Sequence, residues 1–187
     1  MSNFKDSPLF AVHNDYYTPK SAWEQIKQFV NTDLKVWECF LLNCGNEQSK
    51  KYLTECGYEV IGNKNVDFLN EETYTPEMKN KDYGIIISNP PFERIKSFKQ
   101  RKENLKYKCL KKLLDLDKPF IIIMNSTNMF QKWFMELVEG KDIKFIFPSS
   151  KINYEKYKDG EPVEAGKSCS FNSIYVCYKI IEKNEWI

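Results

Sequence analysis

Asn89, Pro90, Pro91 and Phe92 follow three isoleucines and a serine in the stretch IIISNPPFERIK, residues 85–96. Two successive prolines remove two backbone donors and fix two φ angles, so the chain leaves a buried strand by a stiff exit and cannot continue its ladder. The side-chain amide of Asn89 and the carbonyl of Pro90 are thereby left as acceptors at the strand tip. In open α/β sheets ligands bind beyond the carboxyl ends of the strands, which is where this tetrapeptide falls. One chemistry suits it. A planar amino group on a heteroaromatic ring, such as the exocyclic nitrogen of adenine, is a poor nucleophile because its lone pair is delocalised. An asparagine oxygen and a proline carbonyl that accept its two hydrogens favour a pyramidal nitrogen with a free lone pair. An aromatic side chain at Phe92 can stack on the same ring once the base is flipped out of a duplex. The alternative reading is a rigid strand-to-helix turn.

The elements that must position these residues are legible on both sides of them. Thr18 as N-cap and Pro19 at the first helical position open a helix over about 19–30, with Ala22, Trp23, Ile26, Phe29 and Val30 on its apolar face. LKVWECF reads as a strand from Leu34. EQSKKYLTECG reads as a helix stopped by Gly57, and YEVIG as a short strand. After the polar, turn-rich NVDFLNEETYTPEMKN comes YGIIIS, whose unbroken isoleucines suit a parallel strand covered on both faces. Ile95, Phe98, Leu105, Leu110 and Leu113 then recur at helical spacing. KPFIIIMNS is another buried strand, NMFQKWFMELVEG a helix ending at Gly140, and IKFIFP a strand. KINYEKYKDGEPVEAGKS reads as a polar loop and FNSIYVCYKII as a final strand. This alternation predicts an α/β fold with a mostly parallel sheet and helices on both faces, in one domain over 1–187.

The balance of 28 basic against 26 acidic residues in 187 excludes a generally basic coat for nucleic acid but not a local basic patch. No apolar run reaches the length of a membrane span and the N-terminus has no signal-peptide core, so an intracellular, soluble protein of the cytoplasm or nucleus is expected, with no membrane partner. Six cysteines form no C-x-x-C pair and His13 is the single histidine, which predicts reduced buried thiols and no metal site.

An asparagine, two prolines and an aromatic after a buried strand resemble the catalytic motif of amino-methyltransferases that use S-adenosylmethionine. Roughly 0.01 accidental matches are expected in a chain of this composition. Further segments resemble small viral and phage DNA adenine-N6 methyltransferases. DYYTPKSAWEQI is similar to their N-terminal element, which implies that Tyr17, Thr18 and Pro19 help to hold the methionine end of the cofactor. VWECF places Glu38 and Phe40 where that family has an acidic residue and a phenylalanine leading into a glycine loop. VDFLN resembles the segment near the cofactor adenine, implicating Asp67 and Phe68, and SFNSIYVCYK resembles the last strand. The resemblance implies a Rossmann-like class I methyltransferase fold, S-adenosylmethionine as cofactor, direct transfer without a covalent enzyme intermediate, and catalytic roles for Asn89, Pro90, Pro91 and Phe92.

The glycine loop departs from the family pattern. Cys39 stands at its proline position, Leu42 and Cys44 at its glycine positions, and Gly45 alone lies nearby. The acid that usually follows the second strand to bind the ribose is replaced by Asn63, Lys64 and Asn65. The second reading is therefore an impaired methyltransferase-like subunit that binds nucleic acid or a partner methyltransferase; a homodimer is also open. Guanine amines in RNA and glutamine amides in proteins are planar nitrogens too, but the first and last segments favour DNA. So does the basic run after the motif, where Lys96, Lys99, Arg101 and Lys102 can contact phosphates. Tyr154, in the polar loop, is a candidate for stacking or wedging at a base. No segment is large enough for a separate target-recognition domain.

Overall fold

The computed structural model describes residues 16–41, 47–90, 105–158, 161–163 and 171–187. In chain order the elements are β1 (Tyr16–Tyr17), α1 (Lys20–Ile26), β2 (Val36–Trp37), α2 (Gln48–Glu55), β3 (Val60–Ile61), α3 (Pro76–Lys79) and β4 (Ile85–Ser88). They continue with α4 (Leu105–Leu116), β5 (Phe120–Asn125), α5 (Lys132–Val138), β6 (Ile143–Phe147), β7 (Glu155–Lys158), β8 (Glu161–Val163), β9 (Ser173–Tyr178) and β10 (Glu185–Trp186).

Seven strands form the main sheet in the order β10-β6-β9-β5-β4-β2-β3. Every pairing in it is parallel except those of β9, which lies antiparallel between β5 and β6. The isoleucine runs are continuous because both faces are covered. Ile85, Ile87, Ile121 and Ile123 pack with α1 and α2 through Trp23, Ile26 and Leu53. Ile86, Ile122 and Phe120 pack on the other face with α3, α4 and α5 through Met78, Leu110, Leu113 and Phe134. The expected α/β fold, mostly parallel with helices on both faces, is the observed one. Among the described residues no helix is long and apolar enough to cross a membrane.

From β2 the chain moves outward to β3 and then returns to β4 on the other side of β2. The strand order therefore reverses between β2 and β4, and in open α/β sheets ligands bind at the carboxyl ends of the strands on either side of such a reversal.

Several elements differ from the sequence expectation. Thr18 does not cap the first helix: Pro19, with φ −67° and ψ 154°, is the N-cap residue, and α1 gives way to a 3-10 turn over Lys27–Phe29. Proline fixes the extended entry without help from the threonine hydroxyl. The segment before α5 is a 3-10 turn, Ser126–Phe130, separated from the helix by extended Gln131. The Asn125 side chain accepts from the Thr127 N–H and nucleates that turn, which diverts the chain from a continuous helix.

KINYEKYKDGEPVEAGKS is not a plain loop. It contains β7 and β8, which pair antiparallel, and β7 also pairs with β1, matching Tyr17 with Glu155. The edge of β1 supplies the backbone partners that a local reading of this polar segment misses. Tyr154 just before it is 1 % exposed, its ring lies 5.6 Å from that of Phe171, and its hydroxyl is 2.8 Å from Ser173 Oγ. Burial in the core removes it from the role of a base-stacking residue. The short edge strand β10 was not foreseen in the sequence either.

Candidate active site

The tip of β2 meets the tips of β3 and β4 through Glu38. Its backbone N–H donates to the Ile61 carbonyl at 3.0 Å, which extends the pairing with β3 by one residue. Its side chain is 2 % exposed and accepts from the Phe40 N–H at 3.0 Å on Oε1. Ser88 Oγ, at the end of β4, donates to the same oxygen, and the Ser49 hydroxyl on α2 is a further partner. Burial pushes the carboxyl up to about 7 from an ordinary 4.5, against the opposing pull of the bonds from Ser88, Phe40 and Ser49. Among the described residues no cation is paired with it. Ser88 and Ser49 carry this arrangement, and the sequence reading passed over both. The one local signal was a hydroxyl at the end of an isoleucine strand, where an unpaired polar group is costly.

β3 and the start of α2 brace the same point. Gly62, immediately after β3, has φ +128°, and a Cβ there would strike the Glu38 carbonyl oxygen. Lys50 Nζ donates to the Gly62 carbonyl at 2.8 Å, and the Lys64 N–H donates to Glu47 Oε1 at 2.9 Å. Gly62→Ala is expected to lower stability by about 1–3 kcal/mol through this clash and the glycine-only backbone. A urea midpoint equal to wild type contradicts that account.

Asn89 follows Ser88 directly. Its Oδ1 is buried and has no hydrogen-bond partner among the described residues, and Pro90 beside it is buried. A desolvated amide oxygen without a donor costs stability unless a ligand or water supplies one. Thr18 shares this condition: it is 1 % exposed and its Oγ1 has no partner among the described residues. It stands between β1 and α1, flanked by Tyr17 in β1 and by Pro19 at the helix entry.

Phe40 leads away from Glu38 towards Phe68, with ring centroids 4.9 Å apart. Phe68 is 3 % exposed and also packs on Trp37 at 5.6 Å, so its ring belongs to the aromatic core. Asp67 holds a local turn, its Oδ1 accepting from the Leu69 N–H at 2.9 Å. The structure thus brings Glu38, Phe40, Phe68 and the Ser88–Asn89 step to one end of the sheet. Gly45, Leu42, Cys44, Pro91, Phe92, Ile95, Phe98, Lys96, Lys99, Arg101 and Lys102 lie outside the described residues.

Solved structures share this architecture. A protein of Listeria monocytogenes described as a class I S-adenosylmethionine-dependent methyltransferase matches 92 % of this chain with a TM-score of 0.50 at 10 % identity. The fold is that of the class I methyltransferases. The chain spans 65 % of the length of the Listeria protein. A TehB-like methyltransferase of Corynebacterium glutamicum matches at 15 % identity and TM-score 0.42, covering 92 % of both chains. An O-methyltransferase of Thermotoga maritima matches at 9 % identity and TM-score 0.39, over 85 % of this chain and 64 % of its own. No protein-family model matches the sequence, and no curated protein sequence matches it.

Proposed function

We propose that the chain is an S-adenosylmethionine-dependent methyltransferase acting on an exocyclic amino group, that of adenine in DNA. The observation that carries this reading is the buried Oδ1 of Asn89, which has no partner among the described residues and follows directly on Ser88, the residue bonded to the buried Glu38 carboxyl. Thr18, Glu38 and Asn89 fit such a cofactor and substrate: a buried carboxyl with no cation among the described residues suits a cationic amino-acid end, and two buried side-chain oxygens with no partner among those residues are open to ligands. Tyr17, Pro19, Phe40, Asp67 and Gly45 are proposed as further contacts of the cofactor.

The bound cofactor supplies an electrophilic methyl group on a sulfonium. Asn89 Oδ1 and the Pro90 carbonyl accept the two hydrogens of the substrate amino group, which holds its nitrogen pyramidal and directs the lone pair out of the ring system. With its lone pair so directed, the amino nitrogen would be ready to take the methyl group that the bound cofactor would supply, and would shed one proton to solvent. Phe92 stacks on the base.

Calorimetry with S-adenosylmethionine and S-adenosylhomocysteine tests the cofactor assignment. Micromolar binding is expected. No heat at millimolar ligand returns the chain to the reading that Leu42 and Cys44 favour, a methyltransferase-like subunit that binds nucleic acid or a second methyltransferase.

The DNA assignment is supported by the resemblance of the first and last segments and by the basic run, and the run can be tested directly. Replacing Lys96, Lys99, Arg101 and Lys102 together by Gln is expected to lower duplex affinity alike for every sequence and to flatten its salt dependence by a slope of about 0.9 for each phosphate no longer neutralised. An unchanged slope sends the nucleic acid elsewhere on the surface.

A further inference from the structure

Ser88 is fully buried in a strand whose other residues are isoleucines. A hydroxyl in such a place costs desolvation unless it is bonded. Its Oγ donates to Glu38 Oε1, and the same hydroxyl is a hydrogen-bond partner of the Cys39 thiol. The β2–β4 register sets Trp37 level with Ile86, so its continuation puts Cys39 level with Ser88. One side chain thus reaches two consecutive residues across the point where the strand order reverses. The next peptide presents Asn89.

We propose that Ser88 is a positioning residue that fastens the Glu38 carboxyl at the switch point to the strand end that presents Asn89 and favours its charged form over its neutral one. Cofactor and substrate sites then share a single hydrogen bond. This rests on the function proposed above. The groups that face Glu38 support it. From β4 there is the Ser88 hydroxyl, from the segment after β2 the Phe40 N–H and the Cys39 thiol, and from α2 the Ser49 hydroxyl. Burial and the adjacent Glu38 both hold the Cys39 thiol well above its ordinary value, so it adds no competing negative charge. Lys50, also on α2, is turned to the Gly62 carbonyl, and Glu47 to the Lys64 N–H. Of the donors that reach the carboxyl, Ser88 opposes the effect of burial most. Without it the carboxyl keeps its proton to higher pH and meets a cationic ligand as a neutral acid.

The experiment follows the Glu38 carboxyl carbon by NMR across pH 5–9 in glutamate-labelled protein without ligand, beside S-adenosylhomocysteine affinity at pH 6, 7 and 8. In wild type the carboxyl is expected to titrate near neutrality, with affinity rising through the same range. In Ser88→Ala both midpoints are expected to move up by about one pH unit or more, the effect of one charge-assisted hydrogen bond. Ser88→Thr, which keeps the hydroxyl, is expected to restore them. Ser88→Cys, close in size but a weaker donor, is expected to fall between and serves if the alanine variant does not fold. A midpoint unmoved in either the Ala or the Cys variant overturns the proposal. A wild type that binds no S-adenosylhomocysteine overturns the cofactor assignment instead, and the NMR midpoints alone then decide whether Ser88 governs Glu38.

Discussion

Asn89→Ala is expected to lower methyl transfer to a DNA adenine by about 100-fold or more, the usual cost of losing one preorganised hydrogen-bonding group in a water-excluded site. The magnitude follows from the state of the amide. Its oxygen is already desolvated and unpaired among the described residues, so it need not give up a bond before it accepts the substrate hydrogen. For the same reason the variant should fold as well as wild type or better, because it removes an unsatisfied buried acceptor. Cofactor affinity should stay within a few-fold. Turnover under saturating cofactor, read with a thermal melt, separates these effects. Equal turnover by the two proteins removes Asn89 from the chemistry, whereas a large drop in melting temperature marks the side chain as structural.

Glu38→Gln should raise stability at neutral pH while damaging cofactor binding. A carboxyl whose folded value is about 7, against 4.5 ordinarily, holds its proton in the folded chain where the unfolded chain has released it. Stability from this group is therefore greatest below about pH 4.5, falls as pH rises to about 7, and is level above that. The full fall is on the order of a few kcal/mol. Glutamine keeps an oxygen for Ser88 and Phe40 but carries no charge, so the decline should vanish. Urea unfolding of both proteins at pH 5, 6, 7 and 8 reads it directly: the two stability curves should meet at low pH and separate with rising pH. Curves that stay parallel contradict the burial argument.

The same substitution should weaken S-adenosylmethionine binding by about 30-fold or more, as loss of one partner from a buried charge pair does. A gain in stability with a loss in binding is the signature of a group kept for function at a cost to the fold.

The sequence alone determined the elements whose signals are local. Unbroken isoleucines required strands covered on both faces, and β4 and β5 are buried in that way. Paired prolines required an exit at the end of β4, which placed Asn89 at a strand tip. Gly57 and Gly140 marked helix ends, and both have positive φ. Glu38 is placed at a strand end only by the family resemblance, since the apolar residues Cys39, Phe40 and Leu41 continue past it.

Tertiary structure decided what depends on partners distant in the chain. Ser88 and Glu38 are 50 residues apart, and nothing near either residue announces their bond. It exists because β4 returns beside β2 after β3 has been laid on the other side. The antiparallel place of β9 between β5 and β6, the pairing of β7 with β1 and the strand at β10 are likewise long-range matches of backbone groups. Tyr154 shows the same limit for a single side chain. Polar neighbours made it look exposed, yet the hydroxyl of Ser173 and the ring of Phe171 bury it. Local pattern reports which residues prefer burial and where the backbone must turn. Which buried polar groups satisfy one another is settled only when the strands are ordered in the sheet.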